Sequence, residues 1–348
     1  MTADNRIQLK LKLLRFLNAT IIPALRHRRA KGMLTSLKNI LGKKQDPNKI
    51  TKDFWDRESG TWQIGKGLHW TELIAIHERL NRKMSGDTYI DLYLYLLKFL
   101  TERGLHFPVG RCLTVGCGAG DFERSLSRFR VCDRHDAYDI SEGAIEKARA
   151  NAREAGLSHI HYEAADINEL SLPADSYDIV LGIQSIHHLA NLERVFSEVR
   201  KALKPGGFFI LHEFVGPSKF QWTDAQLNII NAALQMLPDK YCISRKDGIT
   251  IKKKHWRPTL QEMDSIDPSE AIRSSDILTV LPMYFDILEK KDLGGSVLHL
   301  LLDGIAGNFD YDNPKDMKLL RMLFEIEDAF MDIGVIQSDF ALVIARKV

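Results

Sequence analysis

Residues 111–121, Arg-Cys-Leu-Thr-Val-Gly-Cys-Gly-Ala-Gly-Asp, constrain the fold of this 348-residue chain more than any other stretch. A short apolar run containing β-branched residues reads as a buried strand. It ends in glycines at the alternate positions 116, 118 and 120, and 122–126 then begin a helical pattern with Asp121 placed to cap it. Strand, glycine turn and helix let a ligand approach bare backbone, so that amides at the helix start face it. The spacing is G-x-G-x-G and not the G-x-G-x-x-G of dinucleotide binders, because position 121 is Asp. By itself this is weak evidence, with a plain glycine-rich βα turn as the alternative.

The segments that follow narrow it. Residues 134–140 read as a second strand ending in the acid Asp139, at the distance where an acid can accept from both hydroxyls of a ribose. Ser141-Glu142 opens a helix to about Ala155, stopped by Gly156. A third strand is expected at 159–162, a fourth at 179–183 and a fifth at 208–211, entered from the Leu-Lys-Pro-Gly-Gly turn at 203–207. In this order, VGCGAG, YDIS, AAD, SYDIVLG and LKPGG over about 107–215 resemble the class I S-adenosylmethionine-dependent methyltransferases.

The resemblance implies an α/β fold: a doubly wound, seven-stranded, mostly parallel sheet whose last strand, at 340–345, runs antiparallel between strands five and six, the latter expected at 284–288. It implies S-adenosylmethionine as cofactor, held by Gly116, Cys117, Gly118, Gly120, Asp139, Ile140, Asp166, Ile167 and Gln184. The methionine end lies against the glycines, the ribose on Asp139, and the adenine near Ile140, Asp166 and Ile167. Further helices are expected at 71–84, 88–101, 296–305 and 314–331.

Charge divides the chain unevenly. The formal net charge is +2, yet residues 1–52 carry thirteen Lys and Arg against Asp4 and Asp46, a net +11 that leaves −9 for the remainder. Leu9, Leu13, Phe16, Leu17 and Ile21, and after Pro23 also Met33, Leu37, Ile40 and Leu41, recur at helical spacing within this basic arm. Such an arm lies on an anionic membrane, docks on a partner such as a second copy in a homodimer, or packs on its own domain. Four cysteines without CxxC pairing point to a reducing compartment and to no disulfide framework or zinc site. With no secretory signal or transmembrane run in view, a cytoplasmic location, peripheral to the inner face of the membrane if the arm binds lipid, is the expectation. The organisation expected is a basic arm over 1–52, a helical cap segment over 53–106, and a methyltransferase domain over 107–348 with an insertion at about 216–283. The cap segment carries an aromatic cluster of Phe54, Trp55, Trp62 and Trp70, and serves either as a lid or only as core.

Methyl transfer from a sulfonium is an in-line displacement, so an acceptor must be held in attack geometry and deprotonated if it is a hydroxyl. In open α/β sheets these groups sit at the carboxyl ends of strands. There the sequence offers Gln184-Ser185-Ile186-His187-His188 after strand four and His212-Glu213 after strand five. The resemblance implies that His187 and His212 face the active site and that His188 packs, with Glu213 as an alternative base or an orienting group. No metal is expected, since no carboxylate cluster is evident around the histidines. Resemblance also makes the insertion the substrate cover, with Trp222, Tyr241 and Arg273 as contacts; its basic run 252–257 is otherwise a solvated face. HEFVGP, FQWTD, PSEAIRS and SDFALVIARK look like bacterial methyltransferases often associated with polysaccharide biosynthesis. The leading expectation is O-methylation of a small-molecule or glycan acceptor. The rivals are a lipid or quinone methyltransferase at the membrane surface and a non-catalytic cofactor-binding subunit. Nucleic acid is not an expected partner, since the −9 core would repel phosphates and an Asp/Asn-Pro-Pro-Tyr/Phe motif is missing after strand four.

Overall fold

A computed structural model describes residues 47–58 and 65–347. The apolar repeat of the basic arm and Trp62 lie outside the described residues. Helix α1 (Pro47–Glu58) precedes α2 (Ile74–Ser85), α3 (Leu92–Glu102) and strand β1 (Val109–Val115). Then come α4 (Asp121–Ser127), β2 (Cys132–Asp139), α5 (Glu142–Glu154), β3 (Ile160–Ala164), β4 (Tyr177–Ile183), α6 (Leu192–Ala202) and β5 (Leu203–Phe214). The insertion contributes α7 (Asp224–Met236), α8 (Leu260–Ile266) and α9 (Ile277–Val280); β6 (Asp286–Gly294), α10 (Leu298–Leu302), α11 (Pro314–Asp332) and β7 (Phe340–Arg346) complete the order. Among the described residues no helix is long and apolar enough to cross a membrane.

The seven strands form one sheet in the order β3-β2-β1-β4-β5-β7-β6. Strands β1 to β5 are parallel, and β7 runs antiparallel to both of its neighbours. This is the topology that the class resemblance implies. Period-two alternation sorts the sheet's side chains between two apolar layers. Ile179, Leu181, Phe208, Ile210, Leu342 and Ile344 enter one, and Val180, Phe209, Leu211, Ala341 and Val343 the other. Chain direction across the sheet reverses between β1 and β4, and the crevice opens at their carboxyl ends.

Several boundaries differ from the sequence reading for identifiable reasons. The Lys-Pro-Gly-Gly run lies inside β5, where the register against β4 shifts between Tyr177 and Ile179 and Gly206 takes φ +75°. Asp121 is the first helical residue of α4, and the cap position belongs to Gly120. The helix expected from Thr71 begins at Ile74, because Glu72 turns back to accept the amides of Gly65, Gly67, Leu68 and His69 at 2.7–3.0 Å. Strand β6 starts two residues late and runs through Glu289-Lys290-Lys291-Asp292, an edge whose charges hide it from an apolar pattern.

Candidate active site

At the end of β1 the chain turns sharply because the amides of Gly116 and Cys117 both donate to Tyr138 O on β2, at 2.8 and 3.0 Å. Gly116 has φ +75°, and a Cβ there would stand 2.3 Å from Cβ of Ser185. Ser185 occupies that space and donates through Oγ to Val115 O at 2.6 Å, bracing the end of β4 against the end of β1. Asp139, at the end of β2, accepts from Gly118 N at 2.8 Å and from Ser141 N at 2.9 Å. One carboxylate thereby fixes both the glycine turn and the start of α5. Burial pushes its pKa up, against the pull of those amides.

A cleft of about 440 Å³ opens over this turn, within the range of roughly 300–1,000 Å³ common for ligand sites. Of the residues expected to hold a cofactor, Gly116, Gly118, Asp139, Ile140, Asp166, Ile167 and Gln184 line it. Cys117 and Gly120 do not. Cys117 packs beside Ala137, Ile145 and Tyr162, and Gly120 is bare because Tyr162 Oη would lie 2.5 Å from a Cβ. Lining residues that the sequence reading did not single out include Asn48, Thr51, Lys147, Asn168, Ser269 and Ile272.

Helix α1 forms one wall, and no residue of α2 or α3 reaches the cleft. Thr51 and Trp55 both donate to the buried Asp267 of the insertion, at 2.9 and 3.0 Å. On the other flank Asp56 accepts from Ser141 Oγ at 2.6 Å, and Lys52 pairs with Glu142 at 2.9 Å. Covering is therefore done by 47–58, while Trp70, from the expected cap segment, packs against His299 and Phe340 in the core.

At the far end, the histidines exchange the places expected of them. Glu213, fully buried, accepts from Ser185 N at 2.5 Å, Ile186 N at 2.6 Å and His187 Nδ1 at 2.7 Å. This grip draws His187 inward, and in the tight 3₁₀ turn of Ile186–His188 the next side chain, His188, faces the cleft instead. All three donors come from the protein itself, and Glu213 does not line the cleft. Its role is to position. His212 stands off the cleft wall, half-buried, with Nδ1 3.3 Å from the amide of Gln184, which does line the cleft.

Carboxylates do gather around these rings, contrary to the sequence expectation, because the insertion delivers them: Glu270 Oε1 lies 3.6 Å from His187 Nε2 and Asp267 Oδ2 3.7 Å from His188 Nδ1. Burial disfavours the imidazolium of His187, but Glu213, Glu270 and Asp267 outweigh it and hold its pKa above the usual value. Burial and then the neighbouring His187 push His188 down to about 3; burial lowers His212. The tautomer of His188 follows from its partners. Ser269 Oγ donates to Asp267 at 2.8 Å, so the 3.0 Å contact between Ser269 and His188 Nδ1 is donated by the ring. Nε2 of His188 keeps its lone pair.

The expected substrate contacts lie elsewhere. Trp222 is stacked on Phe220 in the core, and Tyr241 is buried with its hydroxyl donating to Asp316 at 2.5 Å. An insertion this long needs an apolar anchor of its own, and its aromatics supply one. Arg273 grips Glu193 with two bonds of 2.7 and 2.8 Å and Asp276 with a third. In the basic run, Lys252 donates to the carbonyls of Leu300 and Asp303 and ties the insertion to the body, while Arg257 donates to that of Trp222 and braces the insertion on itself. Pro268, Ser269 and Ile272 are the insertion residues that reach the cleft.

Residues 113–211 match the family described as Methyltransferase domain. The chain is 33% identical to the sterol 24-C-methyltransferase of Candida albicans over 117 residues, covering 33% of this chain and 31% of that protein. It is 33% identical to the sterol 24-C-methyltransferase of Clavispora lusitaniae over 176 residues, covering 50% of this chain and 44% of that one. The chain thus spans less than half the length of these curated relatives, and neither carries a polysaccharide name. Among solved structures, geranyl diphosphate C-methyltransferase from Streptomyces coelicolor A3(2) aligns at 15% identity and a TM-score of 0.49, over 88% of this chain and all of that one. Over residues 113–211, then, the chain is similar to methyltransferase domains.

Proposed function

We propose that this protein transfers the methyl group of S-adenosylmethionine to a hydroxyl of a small-molecule acceptor held between Gln184, His188 and Ser269. The observation that carries the reading is the continuity of one cleft: its wall runs from the Gly116–Gly118 turn and Asp139 to the lone pair of His188. Asp139 accepts the ribose hydroxyls with lone pairs its two amide donors leave free. The amides at the start of α4 face the methionine carboxylate, those of Gly116, Cys117 and Gly118 being taken up by Tyr138 O and Asp139. Helix α1, clasped by Asp267, covers the bound cofactor and excludes water from the sulfonium. At the other end His188 Nε2 accepts a hydrogen bond from the acceptor hydroxyl, and the Gln184 amide fixes that oxygen for in-line attack.

A second reading has its own support. Trp55, Leu189, Ala190, Pro268 and Ile272 give the acceptor end an apolar wall, and the two fungal relatives are named for methylation of a sterol carbon. In this reading the acceptor is an isoprenoid or sterol alkene.

Calorimetry with S-adenosylmethionine, followed by mass spectrometry of hydroxylated and alkene lipid acceptors with their deoxy and saturated analogues, tests both. Binding with a gain of one methyl dependent on the hydroxyl supports the first reading; dependence on the alkene supports the second. Cofactor binding without transfer to any acceptor would leave a non-catalytic binding subunit.

A further inference from the structure

The turn after β4 and the insertion bring together a donor set that the methyl-transfer reading does not use in full. One ligand atom from each of His187, His188 and Glu270 lies within 4.8 Å of the other two. The separation of His187 Nε2 from Glu270 Oε1, 3.6 Å, is too long for a hydrogen bond. It is near what two ligands about 2.0–2.2 Å from a shared tetrahedral ion would show. Both rings are also prepared. His187 donates Nδ1–H to Glu213, and His188 donates Nδ1–H to Ser269, itself anchored on Asp267. His188 keeps its Nε2 lone pair, His187 offers its own once an ion displaces the Nε2 proton, and a carboxylate behind each imidazole is the outer-shell arrangement that orients metal-binding histidines. The backbone holds the two halves in register, since Ile272 N donates to His187 O at 3.0 Å.

We propose that His187, His188 and Glu270 form a binding site for a divalent transition-metal ion. Two imidazole nitrogens and one carboxylate favour Zn²⁺, Fe²⁺ or Mn²⁺ over Mg²⁺ and Ca²⁺, which take oxygen ligands. Of the three ligands His188 lines the cleft, beside Ser269 and Ile272, and an open coordination position on that side would face its acceptor end. There a bound ion would hold the acceptor oxygen in place of the direct hydrogen bond to His188 Nε2 and would lower the pKa of that hydroxyl, whose proton would leave to water. This use of the ion rests on the methyl-transfer reading; the binding of the ion does not.

The test uses the full chain, stripped with a chelator and dialysed. Titration calorimetry with Zn²⁺ and with Mn²⁺ should show one equivalent bound per chain. Glu270→Gln and His188→Asn should each weaken that equivalent by at least about tenfold, with the melting temperature held. A crystal soaked with Zn²⁺ should give an anomalous peak between the three side chains. Absence of a stoichiometric ion, or wild-type affinity in both variants, overturns the site. S-adenosylmethionine binding, measured separately on the same samples, tells a failed metal site from a failed methyltransferase reading.

Discussion

Glycines 116 and 118 look alike in the sequence, and the structure assigns them different work. Gly116→Ala must displace Ser185, whose Cβ lies 2.3 Å from the new atom, so it should lower the melting temperature as well as cofactor affinity. Gly118 has φ +51° and nothing within 4 Å of an added Cβ. Gly118→Ala should therefore fold, at a cost of about 1–2 kcal/mol for the left-handed backbone, and lose S-adenosylmethionine affinity because the methyl enters the cleft. Equal losses of melting temperature in both variants would refute the distinction. A second contrast concerns Asp339, where burial, and then Glu327, push the carboxyl up to about 8 against a hydrogen bond from Gln226. In the unfolded chain a carboxyl of this type titrates near 3.9. Between about pH 4 and 8 the unfolded state therefore holds fewer protons, and this residue makes stability fall with rising pH, by at most about 1.4 kcal/mol per unit. Asp339→Asn should remove that slope. Urea unfolding at pH 5 and pH 8 checks it: a variant-minus-wild-type difference equal at both pH values would exclude the effect.

Helix α1 acts on the cleft through two donors to one buried carboxylate. Asp267→Ala should release Thr51 and Trp55 together and speed S-adenosylmethionine dissociation by roughly tenfold or more, since hydrogen bonds to a charged group contribute about 1.5–3 kcal/mol each. Stopped-flow fluorescence of the cofactor's release measures this, and an unchanged off-rate would mean that α1 covers without gating. Nothing in the pattern of 47–58 announces this pairing, because Asp267 lies more than two hundred residues away. The same limit explains what else the sequence hid. The strand-turn-helix of 109–127 and the acid at 139 were legible because each is a local arrangement of apolar period, glycine and carboxylate. His187 and His188 differ only in which one Glu213 captures, a contact between two strand ends. Trp222 and Tyr241 carry the same aromatic signal whether they touch a substrate or anchor an insertion. Only packing decides.

Across the whole molecule, one buried ion network joins the helices before the sheet to the helix before its last strand. Arg79 of α2 donates to Glu327 at 2.9 Å and to Asp328 at 2.6 and 2.7 Å on α11. Glu327, fully buried, also accepts the amides of Val297 and Leu298. Arg79→Ala should cost about 3–5 kcal/mol by stranding a buried charge, read as a lower urea midpoint; a loss under about 1 kcal/mol would show that the apolar contacts alone hold α2 in place. The sheet's order carries a consequence for how the protein is made. In its interior, Phe214 pairs with Phe340 and Phe208 with Arg346, so β5 has no partner on one side until the ribosome has passed residue 346. At about 5–20 residues per second, the row Phe208-Phe209-Ile210-Leu211 stays uncovered for roughly 7–26 seconds of synthesis. An unpaired apolar strand edge is a template for aggregation. The nascent chain therefore carries that edge open while residues 215–346 are being added.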